Sequence, residues 1–292
     1  MADSSKVLPV LRRASSLFRG TPGRKGGVVR LAEGRVDDVM VVGDLHGNLA
    51  AFRQVLERAS LDRNTGRHLV LQELIHGRWS YPDDGGEQSH RLVELVCALK
   101  CRYPDRVHWI LGNHELSELT GRPIMKDGEP LNALFRRGLE TAYQADTAVV
   151  IAALHDVFRS LPLAVRTPNR VFISHTIPDG VDLDRFDTSL LDENVWSKEH
   201  AARGGTIYAL TWGRDTSTET VDRFASMIDA DWFVTGHQTC DEGFYQANHR
   251  QLIVDGTDPH PAYCLFPATG EIRIETIVSG ARVITRSMED HD

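Results

Sequence analysis

The chain of 292 residues is poor in the features that would bridge, span or bind duplex DNA. It has only four cysteines, Cys97, Cys101, Cys240 and Cys264, too few for a disulfide scaffold and without zinc-ribbon spacing. Cys97 and Cys101, four apart in a helix-like stretch, read as buried thiols in a reducing cytoplasm. No apolar run reaches the roughly 18 residues of a membrane span, and no secretory apolar core opens the chain. Positive charge is in deficit: the net charge of −8 argues against a binder of duplex nucleic acid. Internal repeats are absent. What remains, 41% hydrophobic and 25% charged residues, is the make-up of an ordinary globular protein with enough apolar material for one large core.

The charge is uneven. Residues 1–36 carry eight Lys/Arg against two Asp/Glu, with a Gly/Pro/basic cluster toward their end. Little periodicity is read there, so the expectation is a flexible basic leader over 1–36, with docking to an acidic partner as its functional alternative, ahead of one domain over 37–292.

From residue 37 strands and helices alternate. "VDDVMVVGDLHGN" is a β-branched run whose Asn48 is placed to cap the helix "LAAFRQVLERA". "RHLVLQE" is a second strand, followed by a polar loop, the helix "HRLVELVCALKCR" and a third strand in "DRVHWILGNHE". Residues 116–160 read as largely helical. "PLAVRT" and "RVFISH" read as a hairpin, "VDRFASMIDA" as a helix and "DWFVTGHQ" as a strand. The remainder, through "GEIRIETIVSG", reads as antiparallel strands. The pattern predicts an α/β protein, a central β-sandwich flanked by helices in a single domain.

Ligands in α/β proteins gather where strands end at their carboxyl edge. Here successive exits supply Asp44 and His46, then Glu73, then Asn113 and His114, then His175, then His237. A lone histidine of this kind is usually a satisfied core or surface residue; five polar exits in one chain point to a shared site. Three acid or amide ligands with three imidazoles suit manganese, iron or zinc better than calcium or magnesium. Six ligands exceed the need of one four-coordinate ion, and two ions sharing one carboxylate would use them all.

These motifs resemble the metallophosphoesterases, in their phosphoprotein-phosphatase branch of bacterial and phage type. "GDLHGN" is similar to the family's GDxHG, "LGNHE" to its GNHE, and "FISHTIP" and "VTGHQ" to its later single-histidine motifs; "LTWGRD" looks like a tryptophan–arginine segment. The resemblance covers about residues 37–268. It implies two divalent transition-metal ions, manganese foremost with iron or zinc as options, held by Asp44, His46, Glu73, Asn113, His175 and His237. It also implies hydrolysis of a phosphorylated substrate, a phosphoprotein or a small phosphoester.

The second motif departs from the family's GDxxDRG. Aligned without gaps, Gln72-Glu73-Leu74-Ile75-His76-Gly77-Arg78 occupies it. Glu73 then stands for the aspartate shared by both metals, His76 for the one that orients the catalytic histidine, and Arg78 sits one place late. Aligned from the following helix, "DDGGEQS" supplies the second aspartate as Asp84, with an insertion of about eight residues. A glutamate keeps the charge and both oxygens, and re-aiming the loop absorbs its extra methylene.

The resemblance implies His114 as the general acid that protonates the leaving oxygen, with Asp84 as the carboxylate fixing its tautomer. Arg78 and Arg214 are the phosphate-binding arginines, each weighed against an ordinary solvated surface arginine. Glu115 is read as an anchor for the turn after it, and His76 as a further metal ligand or a bystander if Asp84 has its role. Three functions stay open: a phosphatase of phosphomonoesters, including phosphoserine or phosphothreonine in proteins; a hydrolase of the dinucleoside-tetraphosphate type, gripped by Arg122, Arg136 and Arg137; and a non-catalytic metal-bound module that recognises phosphate.

Overall fold

The computed structural model describes residues 2–83, 85–126, 128–193 and 196–284. In chain order these form α1 (Ser4–Arg19), β1 (Arg24–Lys25), β2 (Val28–Arg30), β3 (Asp38–Val42), α2 (Leu49–Ala59), β4 (Arg67–Leu71), α3 (His90–Arg102), β5 (Val107–Trp109) and α4 (Asn113–Thr120). A small hairpin of β6 (Met125–Lys126) and β7 (Glu129–Pro130) precedes α5 (Leu131–Tyr143) and α6 (Thr147–Ser160). Then come β8 (Ala164–Arg166), β9 (Val171–Ser174), α7 (Lys198–Ala201), α8 (Thr206–Trp212), α9 (Thr218–Ile228) and β10 (Trp232–Thr235). The last elements are β11 (Phe244–Gln246), β12 (Gln251–Val254), β13 (Ala262–Pro267), α10 (Ile274–Ser279) and β14 (Ala281–Val283).

Two sheets result. One has the order β1-β2-β8-β9-β10-β12-β11, the other β14-β13-β3-β4-β5. Val39, Val41 and Val70 of one sheet and Val165, Ile173, Val234 and Leu252 of the other share a single buried cluster, as facing pleats of a sandwich must. Their opposite faces carry Met40, Leu69, Leu71 and Phe172 into a second cluster under the helices. β3, β4 and β5 run parallel, as do β9 and β10. Their carboxyl ends therefore open at one edge, where the polar exits meet. No helix among the described residues is long and apolar enough to cross a membrane.

Most helices sit where the periodicity puts them. Asn48 caps α2 as expected, its Oδ1 accepting from the Ala51 amide at 2.9 Å, and β8 and β9 form the antiparallel hairpin. Two expectations need correcting. "IETIVS" forms α10 rather than a strand: Ile274 and Ile277, three apart, reach the core on one face of the helix. The leader expected to be flexible forms α1, β1 and β2. Asp3 caps α1, accepting from the Ser5 amide. Leu11, Ala14 and Phe18 are buried among α3, α6 and Trp109, whose ring meets Phe18 edge-on at 6.3 Å. Their spacing of three and four is a helical stripe hidden among basic residues that point to solvent. Arg24 then donates to the Phe18, Ser160 and Leu161 carbonyls, so even its charge serves to fasten the segment.

Candidate metal centre

The exits of β3 and β4 are tied together before any side chain is considered. The Leu45 and His46 amides donate to the Glu73 carbonyl at 2.9 and 2.8 Å, and the Gly47 amide to that of Leu74 at 2.8 Å. Glu115 braces the same loop: its Oε1 accepts from the Leu74 amide at 2.9 Å. His46, Glu73, His76 and His237 all adopt positive φ, between 39° and 67°. That conformation is costly for side chains of this size, and its concentration at one edge marks a site that the surrounding hydrogen bonds hold in place.

Glu73 stands at the middle, 1% exposed. Its Oε1 accepts from the His114 amide at 2.9 Å and lies 3.5 Å from His175 Nε2. Its Oε2 lies 3.8 Å from His46 Nε2 and 3.5 Å from His114 Nε2. Room for the longer carboxylate comes from Gly112, where a Cβ would fall 2.0 Å from Glu73 Oε1.

Around Oε1, His175 Nε2 approaches Asn113 Oδ1 at 2.9 Å and His237 Nδ1 at 3.2 Å. His175 Nδ1 meets Gln72 Oε1 at 2.9 Å, so the N–H is on Nδ1 and the Nε2 lone pair faces inward. The Gln72 amide group donates in turn to the Val42 carbonyl. Around Oε2, His46 Nδ1 donates to the Ile75 carbonyl at 2.9 Å, which likewise leaves Nε2 as a lone pair aimed at the carboxylate. Asp44 accepts from the His237 amide through Oδ2, while its buried Oδ1 has no hydrogen-bond partner among the described residues.

Among the described residues two groups have ligand atoms within 4.8 Å of one another: Asp44, Glu73 and His175, and His46, Glu73 and His114. Glu73 belongs to both. An orphaned buried carboxylate oxygen, inward imidazole lone pairs and a carboxylate facing both ways are what a pair of dications would satisfy. Burial pushes Glu73 and Asp44 well above the usual carboxylate range, with repulsion from Glu115 and Asp44 adding to the first and from Asp255 and Glu115 to the second. Burial pushes His175 well below its ordinary value, and His237 down to about 3 with the Arg214 charge adding to it. Cations would reverse the bias for the carboxylates and favour the neutral imidazoles.

His114 is not alone. Its Nδ1 lies 2.9 Å from His76 Nδ1, and His76 Nε2 lies 2.9 Å from Glu118 Oε1. Asn132 donates to the same Glu118 oxygen, and Phe135 sets its ring edge-on to His76. The loop under His76 is held by the Ser89 hydroxyl, which accepts from the His76 amide, and by buried Glu87, which takes the Gly77 amide and Ser89. Asp84 lies outside the described residues. The neighbour found on His114 is His76, as in the ungapped alignment of "QELIHGR". Glu118 went unnoticed in the sequence; its signal was the four-residue step from His114 along one helix face.

The arginines differ. Arg214 is exposed, but its charge bears on Asp44, His175 and His237, and its backbone amide is held by Asp179. Arg78 pairs with Asp258 and stacks on Trp79, with 61% of its side chain exposed.

Comparison with known proteins bears on the family and the fold. The family model described as calcineurin-like phosphoesterase matches residues 38–241. A probable serine/threonine-protein phosphatase of Encephalitozoon cuniculi is 25% identical over 237 residues, 74% of this chain and 46% of that protein. Human serine/threonine-protein phosphatase 5 is 22% identical over 242 residues, 78% of this chain and 44% of that one. The chain spans about half the length of the curated relatives it matches. A solved protein serine/threonine phosphatase from Saccharomyces cerevisiae, similar to human phosphatase PP5, superimposes with a TM-score of 0.70 at 16% identity, covering 100% of this chain and 92% of that one.

Proposed function

The chain belongs to the calcineurin-like phosphoesterase family, and from that membership we propose that it is a metal-dependent phosphatase of phosphomonoesters, with phosphoserine or phosphothreonine in proteins as its substrate class. The observation that carries this reading is Glu73, whose two oxygens face two separate ligand groups. The names of the relatives support the substrate class.

Asp44, His46, Glu73, Asn113, His175 and His237 would hold the ions, with Glu73 shared between them. The mixed oxygen–nitrogen set favours manganese, with iron or zinc as alternatives. Bound there, two cations supply Lewis acidity and a water acidified enough to be a nucleophile near neutral pH. The chain's own residues do the rest. Arg214 offers a planar fork to the equatorial phosphate oxygens as charge shifts on the transferring group.

His114 delivers a proton from Nε2 to the leaving oxygen. His76 keeps the other N–H of that ring on Nδ1, because its own Nε2–H is committed to Glu118 and its Nδ1 must accept. Burial and the surrounding histidines hold the His114 pKa well below its ordinary value, which disposes it to release that proton; the phosphate dianion, once bound, offsets the bias. Free cysteines at all four positions fit a reducing compartment such as the cytoplasm.

The test is turnover of p-nitrophenyl phosphate and of a phosphoserine peptide by protein loaded in turn with manganese, iron and zinc. Metal-dependent release of phosphate from both supports the reading. Metal binding without turnover would make the protein a phosphate-recognition module, and turnover confined to a dinucleoside tetraphosphate would make it a nucleotide hydrolase.

A further inference from the structure

Arg122 follows the Gly121 cap of α4 and is half-buried, with its guanidinium carbon 4.8 Å from the ring centre of Tyr208 and 5.9 Å from that of Trp212. Those two rings, one turn apart on α8, stack at 5.7 Å with planes 15° apart. Trp212 in turn sets its ring against His237 at 6.2 Å. The rings thus make a shelf running outward from the metal centre, with Arg122 on it.

Stacking on aromatic faces restrains the guanidinium without using its donors. Among the described residues Arg122 makes no ion pair and no hydrogen bond. Glu118, the acid nearest to it in α4, is already engaged by His76 and Asn132. Several other arginines are committed: Arg67 to Asp38, Arg170 to Asp231, Arg223 to Asp184 and Arg250 to Asp222. A held guanidinium with its whole fork unspent, at the rim of a site that processes anions, is equipped for a second anion.

Distance limits where that anion sits. The Trp212 ring links the two: its centre lies 5.9 Å from the Arg122 guanidinium carbon and 6.2 Å from the ring centre of His237, so the guanidinium stands no more than about 12 Å from that residue of the metal centre. An extended peptide, at roughly 3.3–3.6 Å per residue, covers it in about three residues.

We propose that Arg122, on its Tyr208–Trp212 shelf, is a subsite for an acidic side chain within about three positions of the phosphoresidue, so that the substrates are acidic phosphopeptides. This rests on the phosphatase reading of the metal centre.

The experiment compares kcat/KM for phosphoserine peptides carrying Asp at each position from one to three residues before or after the phosphoserine with their Ala and Lys counterparts. Wild type should favour Asp on one side by roughly tenfold at low salt, and less near 1 M salt, where screening falls to about 3 Å. Arg122→Ala should bring the ratio to about one. Arg122→Glu should reverse it in favour of Lys, a gain that a damaged fold cannot produce. Absence of any wild-type preference among peptides that are hydrolysed overturns the subsite, as does an Asp preference that survives in either variant. Failure of wild type on every peptide and on p-nitrophenyl phosphate sinks the phosphatase reading itself, and the subsite with it.

Discussion

The Nδ1 atoms of His76 and His114 lie 2.9 Å apart, so only one of them can carry the proton. The carboxylate of Glu118 decides which, by taking the N–H on the far side of His76. A histidine backed by a carboxylate thus stands beside the proposed general acid.

Removing the acid and removing its support should therefore differ in size. His114→Asn is expected to lower kcat on alkyl phosphates by roughly 10²- to 10⁴-fold. His76→Ala and Glu118→Gln should cost less, on the order of 10-fold or somewhat more, because the acid remains but loses its fixed tautomer. In all three the loss should shrink for aryl phosphates, whose leaving groups hardly need a proton. Equal losses on alkyl and aryl esters in steady-state kinetics would remove His114 from the acid role.

Glu73 should be intolerant of change in either direction. Glu73→Ala is expected to lose at least one of two metal ions by elemental analysis and to abolish turnover. Glu73→Asp restores a shorter arm but withdraws Oε1 from the His114 amide and from His175, now at 2.9 and 3.5 Å. Activity should fall despite the preserved charge. Gly112→Ala is the converse test, since its methyl would displace Glu73 Oε1; two retained metals and full activity there would mean that the carboxylate is not held as described.

Between the arginines, Arg214→Ala should reduce kcat/KM more than Arg78→Ala, with metal content unchanged in both. Arg214 already projects its charge on Asp44, His175 and His237, whereas Arg78 is turned to Asp258 and Trp79. Inhibition by inorganic phosphate should weaken in parallel for Arg214→Ala. The opposite ranking would reassign the phosphate clamp to Arg78.

Stability should fall in mild acid through a pair of histidines remote from the metal centre. His68 Nδ1 lies 2.9 Å from His108 Nε2, and His68 Nε2 donates to the Arg35 carbonyl. Burial lowers the pKa of both, that of His108 far below its ordinary value. The unfolded chain then binds protons that the folded one refuses, so stability is intact above about pH 6.5 and is lost as pH falls from there toward the folded values. Urea unfolding at pH 7.5 and 5.5 should show this loss in wild type and a smaller one in His108→Phe. An unchanged difference would clear the pair of responsibility.

The polar exits were legible in the chain because they are local: a β-branched run followed within two or three residues by Asp44, Glu73, Asn113, His175 or His237 reads the same before and after folding. The capping of α2 by Asn48 and the β8–β9 hairpin were local in the same sense. The leader was misread because its apolar stripe of Leu11, Ala14 and Phe18 gains meaning only from α3 and α6, sequence-distant partners that supply the other half of the core. Tertiary structure alone decided that His76 meets His114 across 38 positions and that Arg122 rests on Tyr208 and Trp212. It alone clears the space over Gly112 for the extra methylene of Glu73. Local pattern specifies which side chains leave a strand and at which end, since backbone geometry repeats every two residues. Which of them touch, and at what distance, is set by how two sheets and their helices pack, and no short stretch of sequence contains that.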